Sequence, residues 1–256
     1  MEFDYNESND LRSHPHHPSS LVESLVTKKK ITSPRLAEVF QKVDRKFFVY
    51  DQNVAYEDVS QDIGYGASIC APSLDASALD LIVDKLVGGC RCLEIGTGSG
   101  FITACLAELI QPGGVIHSIE HIPQLIELSQ HNLLNYANSN GSNISKNASI
   151  IIHEGDGRKG LPHEAPYGVI FVGASTTSVP QLLIDELSPG GRLLVPICGT
   201  LVTFDRDAVT GCVCQNRHGP VPYIPLTTVE HQLQFYQQQQ QQQQQIPETQ
   251  TSTMTT

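Results

Sequence analysis

The sequence predicts an α/β protein with a doubly wound, mostly parallel sheet, N-terminal helices and a C-terminal antiparallel hairpin. Between residues 91 and 197, short apolar segments alternate with helical periodicity, as in strands joined by crossover helices. A glycine-rich turn, LEIGTGSG at residues 93–100, follows the first strand, and Glu120 and Asp156 follow the next two. Because ligands of such sheets bind at the carboxyl ends of the strands, we expect the functional site there.

The residues before the sheet predict two short helices, a long loop and a third helix. Ser20 has the position of a capping-box residue at the start of the first helix, and Ser33 precedes the second. Periodicity is lost over residues 47–72, which predicts a long loop with functional potential. A helix is predicted over residues 73–87, where a pair of glycines ends it.

The sheet itself is predicted from five short apolar runs bounded by turn residues. These strands are residues 91–95, 115–119, 149–153, 167–172 and 192–197. The helices between them are residues 99–110, 122–136 and 179–187. Alternating segments at residues 200–206 and 211–215 predict a hairpin that joins the edge of the sheet.

Both ends of the chain are predicted to lie outside the fold. Residues 1–18 are polar, and residues 235–256 hold nine consecutive glutamines and a Thr-rich end. Neither composition builds an apolar core, so we expect a disordered arm and a disordered tail around a single domain at residues 19–234.

Composition and net charge limit the kinds of partner and compartment that we expect for this protein. The net charge of −11 argues against a nucleic-acid partner, because such binding depends on Lys and Arg at phosphates. Seven cysteines and no signal-peptide pattern favour a cytosolic protein with reduced thiols and no membrane segment. The C-x-C pairs at residues 90–92 and 212–214 lack zinc-knuckle spacing, so we expect no metal. We also expect a monomer.

The spacing of the glycines at 96, 98 and 100 indicates which ligand the turn holds. A dinucleotide turn has G-x-G-x-x-G, and here the third Gly comes one residue early. Glu94 would repel a phosphate at close range and suits a cationic ligand instead. The segment resembles motif I of the class I S-adenosylmethionine-dependent methyltransferases, whose cofactor carries an ammonium and a sulfonium.

Glu120 and Asp156 extend this interpretation to a nucleoside. Glu120 lies 24 residues beyond Gly96, at the end of the second strand, where a carboxylate can accept two hydrogen bonds from a ribose diol. Asp156, within Gly155-Asp156-Gly157, can accept from an adenine amino group. Each residue taken alone has the alternative role of a helix cap or turn residue.

A family resemblance covers nearly all of residues 20–232. The chain resembles the protein-L-isoaspartate (D-aspartate) O-methyltransferases in the loop SQDIGYGASICAPSLDA, in LEIGTGSG and in several shorter segments. These are Asp44-Arg45, Glu120-His121, GDGR at 155–158, EAPY at 164–167, Val172-Gly173-Ala174, SPGGRLLVP at 188–196 and IPLT at 224–227. The resemblance implies a Rossmann-like methyltransferase fold and methyl transfer from S-adenosylmethionine to the α-carboxyl of L-isoaspartyl residues in damaged proteins, with D-aspartyl residues as a further substrate.

The resemblance also implies roles for individual residues. Ser68 and Cys70 take the catalytic positions at the methyl-transfer site. The implied cofactor-binding residues are Ala67, Ser68, Ile69, Cys70, Asp75, Glu94, Ile95, Gly96, Thr97, Gly98, Ser99, Glu120, His121, Ile122, Asp156, Gly157, Thr227 and Gln232.

The chain departs from the family pattern in its loop. The family's Thr-Ile-Ser is Ser68-Ile69-Cys70 here, and a thiol is a weaker hydrogen-bond donor than a hydroxyl. Two interpretations of Cys70 stay open: its side chain has replaced the active-site hydroxyl at a cost in rate, or its backbone does the binding. An altered loop also leaves the alternative of an inactive family member that binds cofactor and damaged protein as an adaptor.

A second hypothesis concerns the chain as its own substrate. Asn140-Gly141 lies in a polar loop, and Gly leaves the next backbone nitrogen free to attack the Asn side chain. The alternative is a tolerated loop insertion.

Overall fold

The structure, a computed structural model, describes residues 17–139, 144 and 148–244, and places a seven-stranded sheet at the centre. A separate two-stranded antiparallel sheet is formed by β1 (Gln61–Gly64) and β2 (Ala67–Ile69). The large sheet contains β3 (Arg91–Ile95), β4 (Gly114–Glu120), β5 (Ala148–Glu154), β6 (Tyr167–Val172), β7 (Leu187–Ile197), β8 (Thr200–Arg206) and β9 (Val213–Pro220).

Strand order in the large sheet is β5-β4-β3-β6-β7-β8-β9. The first five strands in this order pair in parallel, and β7, β8 and β9 pair antiparallel. The order reverses direction on either side of β3, so a crevice opens at the carboxyl ends of β3 and its neighbours. The predicted fold class, with its C-terminal hairpin, is confirmed.

Seven helices flank the sheet within the described residues. They are α1 (Pro18–Thr27), α2 (Pro34–Lys42), α3 (Pro72–Asp80), α4 (Phe101–Leu109), α5 (Pro123–Ser139), α6 (Gln181–Asp185) and α7 (Val229–Gln244). Short 3-10 turns lie at residues 45–48, 52–54, 157–159 and 162–164.

The core is divided between the two faces of the sheet. Along β3, Cys92 belongs to the larger apolar cluster, which includes most of the N-terminal helices, and its neighbour Leu93 belongs to the smaller one. Val169 and Ile170 on β6 divide in the same way. This alternation is the period of a strand that is covered on both faces.

Three N-terminal predictions need correction. Helix α1 begins at Pro18, because the Nδ1 atom of His17 accepts from Ser19 N and caps it, so the capping box at Ser20 is not used. Residues 17 and 18 are therefore ordered, and the rest of the predicted arm lies outside the described residues. The predicted loop at 47–72 contains the β1–β2 hairpin and two 3-10 turns. The helix predicted at 73–87 ends as α3 at Asp80.

The tail differs as well. The sequence predicts disorder from residue 235, whereas α7 continues to Gln244. The predicted domain boundary at residue 234 therefore falls inside a helix. Glutamine is a good helix former, and the first turns of α7 are held by Gln232 and Tyr236 against the β1–β2 hairpin. The Asn140-Gly141 hypothesis lies outside the described residues.

Candidate functional site

A cavity of about 560 Å³, counting space open to solvent, lies at the carboxyl ends of β3, β4 and β5. Its walls come from β2, the turn after β3, the ends of β4 and β6, and the segment before α7. It is lined by Ala67, Ser68, Ile95, Gly96, Gly98, Ile119, Glu120, His121, Leu125, Gly155, Gly157, Gly173, Ala174, Ile224, Pro225, Leu226, Thr227 and Gln232. We call it the cofactor cavity, because the family resemblance implies cofactor binding by many of these residues.

The turn after β3 is built from backbone. Gly96, Gly98 and Gly100 have φ values of +89°, +53° and +87°, a region that side chains with Cβ rarely adopt. Gly100 is the N-cap of α4, and its missing Cβ would lie 3.3 Å from the carbonyl oxygen of Ser129 on α5. The glycines therefore bring α4 close to α5 and leave the first N–H groups of α4 near the cavity.

Glu120 joins the turn to the end of β4. Its Oε2 accepts from Gly98 N at 3.1 Å, and its Oε1 accepts from His121 N at 2.8 Å and Ile122 N at 3.1 Å. The residue is 6% exposed and lines the cavity. Because a carboxylate has about four acceptor positions, Glu120 keeps capacity for ligand hydroxyl groups.

Glu94 lies behind the turn, fully buried, and does not line the cavity. Its Oε2 accepts from Thr103 Oγ1 at 2.6 Å and Ser118 Oγ at 2.7 Å, and its Oε1 has no partner among the described residues. Burial raises the pKa of Glu94 to about 7. A nearby cation would favour the ionised form, so the carboxyl group is chemically suited to a cationic ligand.

Gly155 and Gly157 line the cofactor cavity just after the end of β5. A Cβ at Gly157 would lie 2.2 Å from Ile95 Cγ2, so only glycine fits against β3. Asp156 caps the 3-10 turn at 157–159 by accepting from Arg158 N at 3.0 Å, and the Arg158 side chain holds the pKa of Asp156 below its usual value. Asp156 thus has the cap role that the sequence analysis left open, and it does not line the cavity.

The Ala67–Cys70 segment closes one side. Ala67 and Ser68 line the cavity, whereas Ile69 and Cys70 do not, and Ile69 is buried. The carbonyl oxygen of Cys70 accepts from an Arg45 guanidinium nitrogen. Burial raises the pKa of the Cys70 thiol well above its usual value, so the thiol stays protonated.

Arg45 and Asp75 form a buried ion pair under this loop. Arg45 Nη1 lies 3.3 Å from Asp75 Oδ2, and both side chains are under 5% exposed. The Arg45 guanidinium also stacks over the Phe101 ring at 5.2 Å. Burial raises the pKa of Asp75 to about 7 in spite of the cation. Sequence reasoning missed Arg45, although it noted the Asp44-Arg45 segment.

The C-terminal segment covers the cavity from the other side. Gln232 Oε1 lies 2.8 Å from His121 Nε2, and Gln232 Nε2 donates to the carbonyl oxygen of Tyr65 at 2.9 Å. Tyr236 packs on Tyr65 with ring centroids 5.9 Å apart. One glutamine side chain therefore ties the start of α5, the β1–β2 hairpin and α7 together.

The cavity brings together ten of the residues selected from the sequence. These are Ala67, Ser68, Ile95, Gly96, Gly98, Glu120, His121, Gly157, Thr227 and Gln232. Eight others, namely Ile69, Cys70, Asp75, Glu94, Thr97, Ser99, Ile122 and Asp156, lie outside its lining. Sequence reasoning gave no role to Gly173, Ala174 and residues 224–226, although the resemblance included their segments.

The described residues contain neither a membrane-spanning helix nor a metal-binding cluster. No helix there has the length and apolar character needed to cross a membrane. In residues 17–139, 144 and 148–244, no three His, Cys, Asp or Glu side chains are grouped to hold a metal ion.

Comparison with known proteins decides the family. Residues 16–231 match the family model described as protein-L-isoaspartate(D-aspartate) O-methyltransferase. The chain belongs to this family. A Caenorhabditis elegans protein-L-isoaspartate O-methyltransferase is 38% identical over 84% of this chain and 94% of the relative. A Triticum aestivum enzyme of the same name is also 38% identical, over 84% and 94%.

A solved structure supports the fold. A crystallised Plasmodium falciparum protein assigned to the same enzyme class, in complex with S-adenosyl-L-homocysteine, superposes with a TM-score of 0.72 at 24% identity, over 82% of this chain and 98% of that one. The protein-L-isoaspartate O-methyltransferase fold therefore covers nearly all of the described residues. The resemblance stated from the sequence is confirmed.

Proposed function

We propose that this chain is a repair methyltransferase that transfers a methyl group from S-adenosylmethionine to the α-carboxyl of L-isoaspartyl residues in damaged proteins, and to D-aspartyl residues. The observation that carries the proposal is a single cavity in which the glycine turn, Glu120 and the Ala67–Ser68 segment meet. Family membership supplies the reaction class.

The residues of the cavity fit the cofactor. Glu120 would accept from the ribose hydroxyls, the N–H groups around Gly96 and Gly98 would meet the methionyl group, and the adenine ring would lie against Gly155 and Gly157, which line the cavity. His121, Ile95, Thr227 and Gln232 would complete the walls. When bound, the cofactor supplies an electrophilic methyl group on positively charged sulfur.

The chain's own contribution is alignment and exclusion of water. The acceptor carboxyl has an ordinary pKa near ~4, so it is ionised at neutral pH and needs no general base. In an in-line displacement, opposite charges disappear, and a site that holds the two groups in register away from water lowers the barrier. Gln232 supports such a site, because it ties three covering segments together.

We assign the acceptor-side roles to Ser68 and Cys70. Ser68 lines the cofactor cavity, and its hydroxyl would donate to the acceptor carboxylate. Cys70 contributes through its backbone, which Arg45 fixes, while its protonated thiol is a weak donor. Asp75 acts through Arg45. The residues that would support the cofactor from behind the lining are Ile69, Glu94, Thr97, Ser99, Ile122 and Asp156.

The remaining proposals concern the compartment, the oligomeric state and the partners of the protein. We propose a cytosolic monomer without a nucleic-acid partner, which the net charge of −11 and seven thiols without a disulfide among the described residues support.

A transfer assay tests the function. Purified protein with methyl-labelled S-adenosylmethionine should label an isoaspartyl peptide and leave the matched normal aspartyl peptide unlabelled. Equal labelling of both peptides, or of neither at a protein concentration that binds the cofactor, contradicts the proposal.

A further inference from the structure

A second cavity is lined in part by the same two chain segments as the cofactor cavity. It measures about 1270 Å³, counting space open to solvent. Its apolar surface includes Leu74, Leu201, Val221 and Pro222. The size and the mixed surface suit several residues of an extended polypeptide rather than a small molecule.

The two cavities share two walls. Ala67 and Ser68 line the cofactor cavity, and Ala71, Ser73 and Leu74 of the same loop line the second one. Residues 219–222 face the second cavity, and residues 224–227 face the cofactor cavity.

Cys70 and Tyr223 each lie, along the chain, between a residue that lines one cavity and a residue that lines the other, and we call this pair of positions the partition. The Tyr223 hydroxyl is buried and has no hydrogen-bond partner among the described residues. A carboxylate carried by a chain in the second cavity would reach the methyl-transfer site at this partition.

The charges around the second cavity are unbalanced. Lys29 and Lys30 line it and are exposed, and neither forms an ion pair in the part of the chain that the structure describes. Asp80 is the acidic residue of the lining, and its oxygens accept from Thr32 N, Thr32 Oγ1 and Ser33 N at 2.6–3.0 Å.

Two neighbouring ionisable groups leave this balance unchanged. Asp58, at the rim, accepts from Ser73 N at 2.8 Å and pairs with Lys28 at 3.7 Å. Burial and Arg192 lower the pKa of His218, which keeps it neutral at pH 7. The cavity therefore presents two unpaired cations on a protein whose net charge is −11.

We propose that the second cavity binds the polypeptide that carries the damaged residue, and that Lys29 and Lys30 select substrates with acidic side chains flanking that residue. The proposal rests on the proposed function for the identity of the acceptor. An Asp or Glu near the isoaspartyl residue would pair with Lys29 or Lys30, while the apolar wall contacts the remaining residues. Exposed ion pairs of this kind are worth about fivefold in affinity at most per pair.

The test compares peptides that differ only in flanking charge. One isoaspartyl peptide carries two Glu residues before the damaged site, a second carries them after it, and a third has Gln at all of these positions. Binding is measured by fluorescence anisotropy with S-adenosylhomocysteine present, and methylation is measured with labelled cofactor.

We expect one of the two Glu peptides to bind at least about fivefold more tightly than the Gln peptide. In the methylation assay, the same peptide should have the lower KM, with kcat unchanged. The preference should disappear in about 0.5 M salt, which shortens the screening length to a few ångströms.

Matched variants identify the residues. Lys30→Glu should remove the preference, and Lys29→Glu/Lys30→Glu should invert it. Lys159→Glu makes the same charge change at an exposed lysine outside the lining and should retain it.

Equal binding of the three peptides to the unaltered protein overturns the inference. The same conclusion follows if Lys159→Glu removes the preference as fully as Lys30→Glu does, because the effect would then be a long-range field. A binding preference without methylation would instead overturn the proposed function and leave the inference standing.

Discussion

The two sides of the cofactor cavity are held in place by different kinds of contact. On the floor, at residues 95–100, 119–122 and 155–157, backbone N–H groups donate to the Glu120 carboxylate, and at Gly157 a Cβ does not fit. On the acceptor side, the loop at residues 67–70 is held by side chains, chiefly Arg45 and Asp75. The floor therefore depends on a local motif, whereas the acceptor side depends on contacts between distant parts of the chain.

Changing the floor should have the largest effect. Gly157→Ala would place a methyl group 2.2 Å from Ile95 Cγ2, and overpacking of this kind costs about 1–3 kcal/mol. We expect the free energy of unfolding to fall by that amount, and affinity for S-adenosylhomocysteine to fall about 100-fold as the floor shifts. Chemical denaturation and calorimetric titration measure the two.

Gly155→Ala is the matched control. Its Cβ would meet Ile119 Cγ2 at 3.8 Å, an ordinary contact, so the free energy of unfolding should change by less than about 0.5 kcal/mol. Equal destabilisation by the two variants would show that the floor is not limited by close backbone approach.

The same difference explains what the sequence could predict. The floor lies in short segments with their own signatures, and β3 and β6 have the predicted bounds, because glycine turns and apolar strands are local signals. The pairing of Arg45 with Asp75 joins residues 30 positions apart, and no local pattern encodes it. The hairpin at residues 61–69 was missed for a related reason: its strands are too short for alternation to be visible.

Breaking the buried ion pair should change turnover more than cofactor affinity. Arg45→Met leaves Asp75 buried without its cation, a loss that costs about 3–5 kcal/mol when the carboxyl stays ionised. We expect a fall in stability within that limit and at least about a tenfold fall in kcat, because the Cys70 carbonyl loses its donor. Affinity for S-adenosylhomocysteine should change less than about threefold.

Two further variants separate folding from positioning. Arg45→Met/Asp75→Leu removes both charges and should restore stability while kcat stays low. Arg158→Met breaks an exposed pair and should cost no more than about 1 kcal/mol. Recovery of kcat in the double variant would contradict a positioning role for Arg45.

Restoring the family's hydroxyl should have a moderate effect. In Cys70→Ser, a stronger donor replaces a thiol that burial keeps protonated. We expect kcat on an isoaspartyl peptide to rise about tenfold with unchanged cofactor affinity. Cys198→Ser, at an exposed cysteine, controls for general thiol effects. Unchanged turnover would assign the binding at position 70 to its backbone alone.

The smallest expected effect concerns a second carboxylate, Glu94, which lies behind the floor. Glu94 is buried behind the glycine turn, and burial raises its pKa from 4.5 to about 7. Below that pH the carboxyl is protonated and neutral, and above it the carboxylate attracts the cationic cofactor. Affinity for S-adenosylmethionine should therefore rise about threefold between pH 6 and pH 8, a modest gain because Glu94 does not line the cavity. In Glu94→Gln the rise should vanish, because an amide carries no charge anywhere in this pH range. A rise that persists in Glu94→Gln would leave Glu94 as a residue that only holds Thr103 and Ser118 in place.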